Sequence, residues 1–475
     1  MNQNLRDNKE WDGVAMPQRF WAILAALFAV SLGVLDGVIA NLALPTIAAD
    51  LSISPSESIW IVNSYQISIV VSLLLFAALG DYWGYKRIYL SGLLLFMVTS
   101  LGCAMSWSLE SLIFFRVIQG IGASAVMSIN TSVVRIIYPR AMLGRGLGIN
   151  STVVSVTAAL GPTVAGAILA ITDWKWLFLV NIPLGIIAIS LGWRFIPQNP
   201  VLQKKLSFNL TDATLYMLSF GLFFAMVTSL SHGASIGAVI ALLVAFVVAG
   251  WFFVRCQLRR KFPIMPFDLL KIPIFSLSII TSILSFVAHM STMVALPFFL
   301  QIQLGCSAVE TGLLIASWPA LNIITAPIAG FLVERYHAGI LGGIGLTLLT
   351  IGLFSLGAIS ADNFSPTDIV WRLALCGIGF GIFQPPNNSV IIASSPLHRS
   401  GSASGIMATS RLVGQTLGAS LVAMLFYIIP QEHANQILYV SASFAAAATL
   451  LSISRLSLPL PKSLQREVVG KKSKI

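Results

Sequence analysis

Two ionisable residues stand inside otherwise apolar segments. Asp36 lies in Leu35-Asp36-Gly37-Val38-Ile39-Ala40-Asn41, and Arg116 in Arg116-Val117-Ile118-Gln119-Gly120-Ile121-Gly122. An acid at the centre of a spanning helix costs about 2.5–3.5 kcal/mol to insert, so such groups face a cavity or a proton path. A carboxyl that can be occupied in either protonation state is the chemistry of a proton carrier. Arginine keeps its charge and needs an anion, carbonyls or water. Arg116 is therefore expected to bias the titration of Asp36 from a neighbouring helix or through water. The plainer alternatives are a structural acid near the outer surface and a snorkelling arginine.

Other candidates are more ambiguous. Arg411, with Gln415 one turn on, is either an anion contact or a structural clamp. His289 is either a proton relay or a satisfied core group. Tyr65, Gln301, Asn322, Gln384 and Asn387 are expected to line a cavity together with His289 and Arg411. Gly80-Asp81-Tyr82-Trp83-Gly84-Tyr85-Lys86-Arg87 reads as a tight turn that could gate access. Gly84 supplies the unusual backbone angles, and Asp81 is placed to meet a helix N-terminus. Glu334 and Arg335 form its second copy. Gly161, Pro162 and Gly166 combine close helix approach with a missing backbone donor, as a hinge or seal requires.

The elements that hold these residues follow from composition. Of 475 residues, 57% are hydrophobic and 9% are charged, against about 25% charged in soluble domains. Water-facing surface needs charge, so a soluble globule is excluded. A span needs about 20 apolar residues. Fourteen candidates are 20–41, 58–79, 88–106, 111–133, 147–170, 176–196, 211–230, 236–256, 275–300, 312–333, 340–360, 370–393, 403–428 and 437–458. An even number places both termini on one side. Of the 28 Lys and Arg, all but Lys175, Arg372, Arg116 and Arg411 fall on that side, Arg455 being read with the basic tail. This is the positive-inside pattern of a bacterial inner-membrane protein with both termini cytoplasmic. The net charge of +11 thus marks orientation and lipid contact, not nucleic-acid binding.

An internal repeat divides the chain. Ala43-Leu44-Pro45 recurs as Ala295-Leu296-Pro297, Asp81 as Glu334, and Gly120-Ile121-Gly122 as Gly377-Ile378-Gly379. Gly148, Thr157 and Gly161 match Gly405, Gly414 and Gly418 at a common spacing of 257. The expected organisation is a tail (1–19), a six-helix half (20–196), two extra helices (197–271), a second six-helix half (272–458) and a basic tail (459–475). Repeated halves put the substrate path at their interface.

These motifs together resemble the fourteen-span drug:proton antiporter branch of the major facilitator superfamily. Leu35-Asp36 through Pro45 is similar to its first-helix motif, Trp60 and Tyr65 to its second-helix pattern, and Asp81 to Arg87 to the gating loop. Arg116 to Gly122 resembles the fourth-helix motif linked to proton coupling, and Thr157 to Gly166 the antiporter motif. Trp174 through Pro183 resembles a segment of the fourteen-span branch. Ala77, Tyr82, Thr157 and Ala165 depart from the usual residue types. The resemblance implies an all-α fold and export of amphipathic compounds by alternating access. It implies a monomer driven by protons with no cofactor. A dedicated exporter of a metabolite, siderophore or lipid is the alternative. No cluster of nucleophile, acid or metal ligands suggests an enzyme, and the short tails are not expected to hold a signalling domain.

Overall fold

A computed structural model describes residues 12–139, 142–198, 210–231, 235–260, 265, 267–333, 335–359, 364–395, 400–430 and 433–458. Its first half comprises α1 (Gln18–Asp50), α2 (Pro55–Ser58), α3 (Trp60–Trp83), α4 (Tyr85–Ala104), α5 (Leu109–Ile137), α6 (Leu143–Ile171), α7 (Lys175–Leu179) and α8 (Asn181–Phe195). Two further helices follow, α9 (Leu210–Ser231) and α10 (Ile236–Arg259). The second half holds α11 (Pro273–Phe298), α12 (Ala308–Leu332), α13 (Ala338–Gly357), α14 (Pro366–Ala393), α15 (Ser400–Ile428) and α16 (Asn435–Ser454). Among the described residues, fourteen helical segments are long and apolar enough to cross a membrane. The protein is thus an all-helical, multi-pass membrane protein of two six-span halves with an inserted pair.

Helix ends obey local chemistry. Ser54, Ser108 and Ser307 each accept an N–H of the next turn and close capping boxes, which start α2, α5 and α12 at the same end of the bundle. We call it the Asp50 end, after the residue that closes α1; the opposite one is the Lys86 end. The first span runs well beyond the expected 20–41, because α1 continues through Pro45 to Asp50. The sixth span is instead broken between α7 and α8. Pro183 has no N–H for the carbonyl of Leu179, the residue four back, so the helix stops there and restarts.

The turn expected over Gly80–Arg87 shrinks to one residue. α3 runs to Trp83 and α4 begins at Tyr85, so only Gly84 lies between them. Its φ of 98° is a conformation side chains resist.

The repeat is realised as packing. A Cβ on Gly120 would stand 2.5 Å from the Tyr65 carbonyl, and one on Gly377 would stand 2.2 Å from the Trp318 carbonyl. Gly122 and Gly379 likewise press α5 onto α4 and α14 onto α13. Gly161 packs on Val38 of α1, and Gly418 on the Val287 carbonyl of α11. Each pair repeats one helix contact in both halves. α10 is mostly exposed, whereas α9 is tied to α3 by the Tyr216 hydroxyl, which donates to the Val70 carbonyl at 2.8 Å.

Between the halves, bonds cluster at the Asp50 end. Ser56 donates to the Ala423 carbonyl at 2.9 Å, Asn63 to Ser420 Oγ at 3.3 Å, and Gln301 to the Leu42 carbonyl at 3.1 Å. Backbones meet there too: Cβ atoms on Gly166 and Gly312 would lie 2.7 Å from the Ala308 carbonyl and 2.3 Å from that of Pro162. Towards the Lys86 end, Gly148 and Gly405 have open space where a side chain would go.

Candidate functional site

Asp36 and Arg116 meet. Nη1 of Arg116 lies 2.5 Å from Oδ2 of Asp36, and both side chains are fully buried. α1 carries the acid and α5 the base. Gly120, one turn beyond Arg116, lets α5 approach α3, so that Arg116 Nε reaches the Ile61 carbonyl at 3.0 Å. The Tyr65 ring lies 4.1 Å from the guanidinium carbon, and that of Phe178 at 5.6 Å. Such ring faces favour a cation.

The other carboxylate oxygen is met by amides. Gln119 Nε2 donates to Asp36 Oδ1 at 3.0 Å and Asn181 Nδ2 at 2.9 Å. Both also reach Ser100 Oγ, at 2.8 and 3.3 Å. Gln119 Oε1 in turn accepts from Arg116 Nη1 at 2.7 Å. The break before Asn181 delivers that side chain to the acid. Three donor contacts, with no second carboxylate among the described residues, make a network in which Asp36 accepts from every polar neighbour. Adding a proton to Asp36 converts an acceptor oxygen into a donor, so at least one of these partners must turn away. Chemically the arrangement is a buried polar joint among α1, α4, α5 and α8.

Gln119, Asn181 and Ser100 were not singled out by sequence. The first two lie inside quoted motifs, but nothing in those motifs marks them as partners of Asp36. Tyr65, expected in a cavity, stacks on Arg116 instead of standing free.

The remaining candidates separate into groups. His289 stacks on Phe380 at 4.9 Å and meets Trp318 edge-on at 5.3 Å. Asn322, one turn past Trp318, borders Gly381. Gln384 is partly buried one turn beyond Phe380. Gln301 sits in a π-helical turn, Phe299–Gln303, at the seam between halves. Asn387 is occupied inside the second half, donating to the Ser278 carbonyl at 3.2 Å and accepting from Arg455 at 2.6 Å. Arg411 is partly buried within α15.

Arg455 corrects an expectation. It is 2% exposed, not part of a solvated tail. Ser278, Asn387 and Ser452 accept from its guanidinium and draw it inward. Of the gating residues, Lys86 donates to the Trp193 carbonyl at 2.6 Å, while Arg87 and Arg335 are exposed. Glu334 and the Asp81 side chain lie outside the described residues. Pro162 is accommodated within a continuous α6, and the two glycines flanking it in the motif face different partners: Gly161 meets α1 and Gly166 meets α12.

Comparison with known proteins gives the family of the chain. The family model for the Major Facilitator Superfamily matches residues 24–419. The chain is similar to the uncharacterized transporter YebQ of Escherichia coli strain K12, with 51% identity across 94% of this chain and 98% of that one. It is 30% identical to the riboflavin transporter RibZ of Clostridioides difficile strain 630, covering 86% and 89% of the two chains. It is also 30% identical to the multidrug resistance protein Stp of Mycobacterium tuberculosis strain CDC 1551 / Oshkosh, covering 84% and 75%. With its fourteen spanning helices and its paired halves, the chain belongs to the Major Facilitator Superfamily.

Proposed function

We propose that this transporter exports amphipathic compounds from the cytoplasm in exchange for protons. The carrying observation is the fully buried Asp36–Arg116 pair, whose network is organised around one titratable acid. The basic excess supports a cytoplasmic Lys86 end in a bacterial inner membrane. On that orientation, the joined Asp50 end and the open flank near Gly148 correspond to a cytoplasm-facing state. Protonation of Asp36 in the outward-facing state loosens Arg116, Gln119 or Asn181 and shifts α1 against α5. Release of the proton to the cytoplasm restores the network. α1 touches α6 through Gly161 and the second half through Gln301, so its movement reaches the seam.

One inward elementary charge gains about 2.3 kcal/mol per 100 mV. That corresponds to roughly a fiftyfold concentration ratio, since each 1.4 kcal/mol is tenfold. The test is drug or dye uptake into inverted vesicles with an acidic lumen, comparing wild type with Asp36→Asn at equal expression. Loss of the protonophore-sensitive component is expected. A full pH-gradient-driven component in Asp36→Asn would overturn the assignment.

The likeness to RibZ, named as a riboflavin transporter, favours a second reading: a dedicated exporter of one endogenous compound. Competition among chemically unrelated compounds separates the two, because a dedicated site admits few of them.

A further inference from the structure

We propose that the exported compound is an aromatic amphiphile carrying one negative charge, and that Arg411 holds that charge. This rests on the export reading and names its substrate class.

Most charges described within or beside the spans are answered. Asp36 meets Arg116, Asp212 meets Arg260 at 3.1 Å, and Asp368 meets Arg372 at 3.2 Å. Arg455 is held by hydroxyls and an amide. Arg411 is different. No hydrogen bond, ion pair or ring contact among the described residues reaches its guanidinium. An arginine stays ionised, and one left unanswered inside a span costs about 2.5–3.5 kcal/mol on insertion scales. A counter-ion supplied by the cargo offsets that cost only when cargo is present.

The placement of Arg411 suits cargo. Ser410 and Gly414 face α11, at Ser282 and Phe286, and Gly418 continues that seam at Val287. Leu412 joins the first half's core. At 3.6 residues per turn, Arg411 and Gln415 occupy the arc between these two contacts, the face shared by both halves.

Beside that arc lie flat rings. Phe286, which Gly414 touches, packs 5.4 Å from Phe380, and Phe380 stacks on His289. His289 Nδ1, Trp318 Nε1 and Asn322 Oδ1 are buried without hydrogen-bond partners. Unanswered polar atoms beside aromatic faces fit a planar ring system bearing polar substituents. The described acids of the second half, Glu310 and Asp368, and Asp268 just before it stand at helix ends, so a cationic ring system meets Arg411 with no acid to offset it. Exporting a monoanion against one proton moves two charges per cycle in the direction the membrane potential drives.

The test is calorimetric titration of the full chain in detergent micelles with a matched pair, 2-naphthalenesulfonate and 2-naphthyltrimethylammonium, with empty micelles subtracted. Wild type is expected to bind the sulfonate at least about tenfold tighter. Arg411→Gln should abolish that preference, and Arg411→Lys should retain most of it. A thermal scan of each variant establishes folding, and the lysine variant carries the comparison if the glutamine variant does not assemble. Equal binding of both probes, binding of neither, tighter binding of the cation, or an unchanged preference in Arg411→Gln overturns the proposal. Binding is read without a gradient, so failure here leaves proton-driven export standing, and loss of that reading leaves this result intact.

Discussion

The side-chain amide of Gln301 donates to the main-chain carbonyl of Leu42 at 3.1 Å, joining the second half to α1 beyond Asp36. A hydrogen bond of this kind contributes about 0.5–1.5 kcal/mol net. Gln301→Ala should therefore shift the balance between closed and open Asp50 ends several-fold towards open. Maleimide labelling of a cysteine introduced at Ala423, which sits in the same seam, should accelerate accordingly.

Arg116 is not replaceable by another cation. Its fork reaches Asp36, Gln119 and the Ile61 carbonyl while its plane faces Tyr65. A lysine offers a point charge without that fork. Arg116→Lys and Arg116→Ala should both lose gradient-driven flux. Removing one partner of a buried pair costs about 3–5 kcal/mol, so Arg116→Ala should also lower the melting temperature. The neutral combination Asp36→Asn with Arg116→Gln should regain much of that stability and none of the flux.

Glycine contacts at the seam differ from those elsewhere. A methyl on Gly312 would press on the Pro162 carbonyl, which is backbone and cannot rotate away. Gly312→Ala should impair closure of the Asp50 end and reduce transport at least tenfold in assembled protein. Gly405→Ala enters open space and should leave melting temperature unchanged.

Acid should weaken one helix start. His337 caps α13 by accepting the Gly339 N–H on Nδ1 at 3.0 Å, which requires a deprotonated nitrogen. Burial and the nearby Arg455 hold its pKa below the ordinary 6.5. The unfolded chain then binds this proton more readily than the folded one, so stability falls as pH drops through the ordinary titration range. Melting temperature between pH 7.5 and 5.5 should decline less in His337→Asn, which keeps a capping acceptor that does not titrate.

The fold was legible because hydropathy alone reports spans, and the repeat reports halves. Asp36 and Arg116 were legible because a charge in an apolar run is conspicuous. Gln119, Ser100 and Asn181 were not, since neutral amides and hydroxyls are ordinary in helices. Their meaning comes from where they meet: Asn181 is 145 residues from Asp36 in sequence. Arg455 misled for the reverse reason. Its sequence neighbours form a basic tail, whereas its partners Ser278 and Asn387 arrive from other helices.

The paired glycines bear on how such a machine can be altered. Matching contacts, Gly120 with Gly377 and Gly161 with Gly418, build the same scaffold twice. The side chains beneath them differ: Tyr65 covers an ion pair in one copy, while Trp318 joins His289 and Phe380 in the other. On the proposed export reading, engine and receptacle are thus separate fittings on matching frames. Retooling the receptacle for a new cargo need not disturb the engine, provided the glycines that set the frame are left alone.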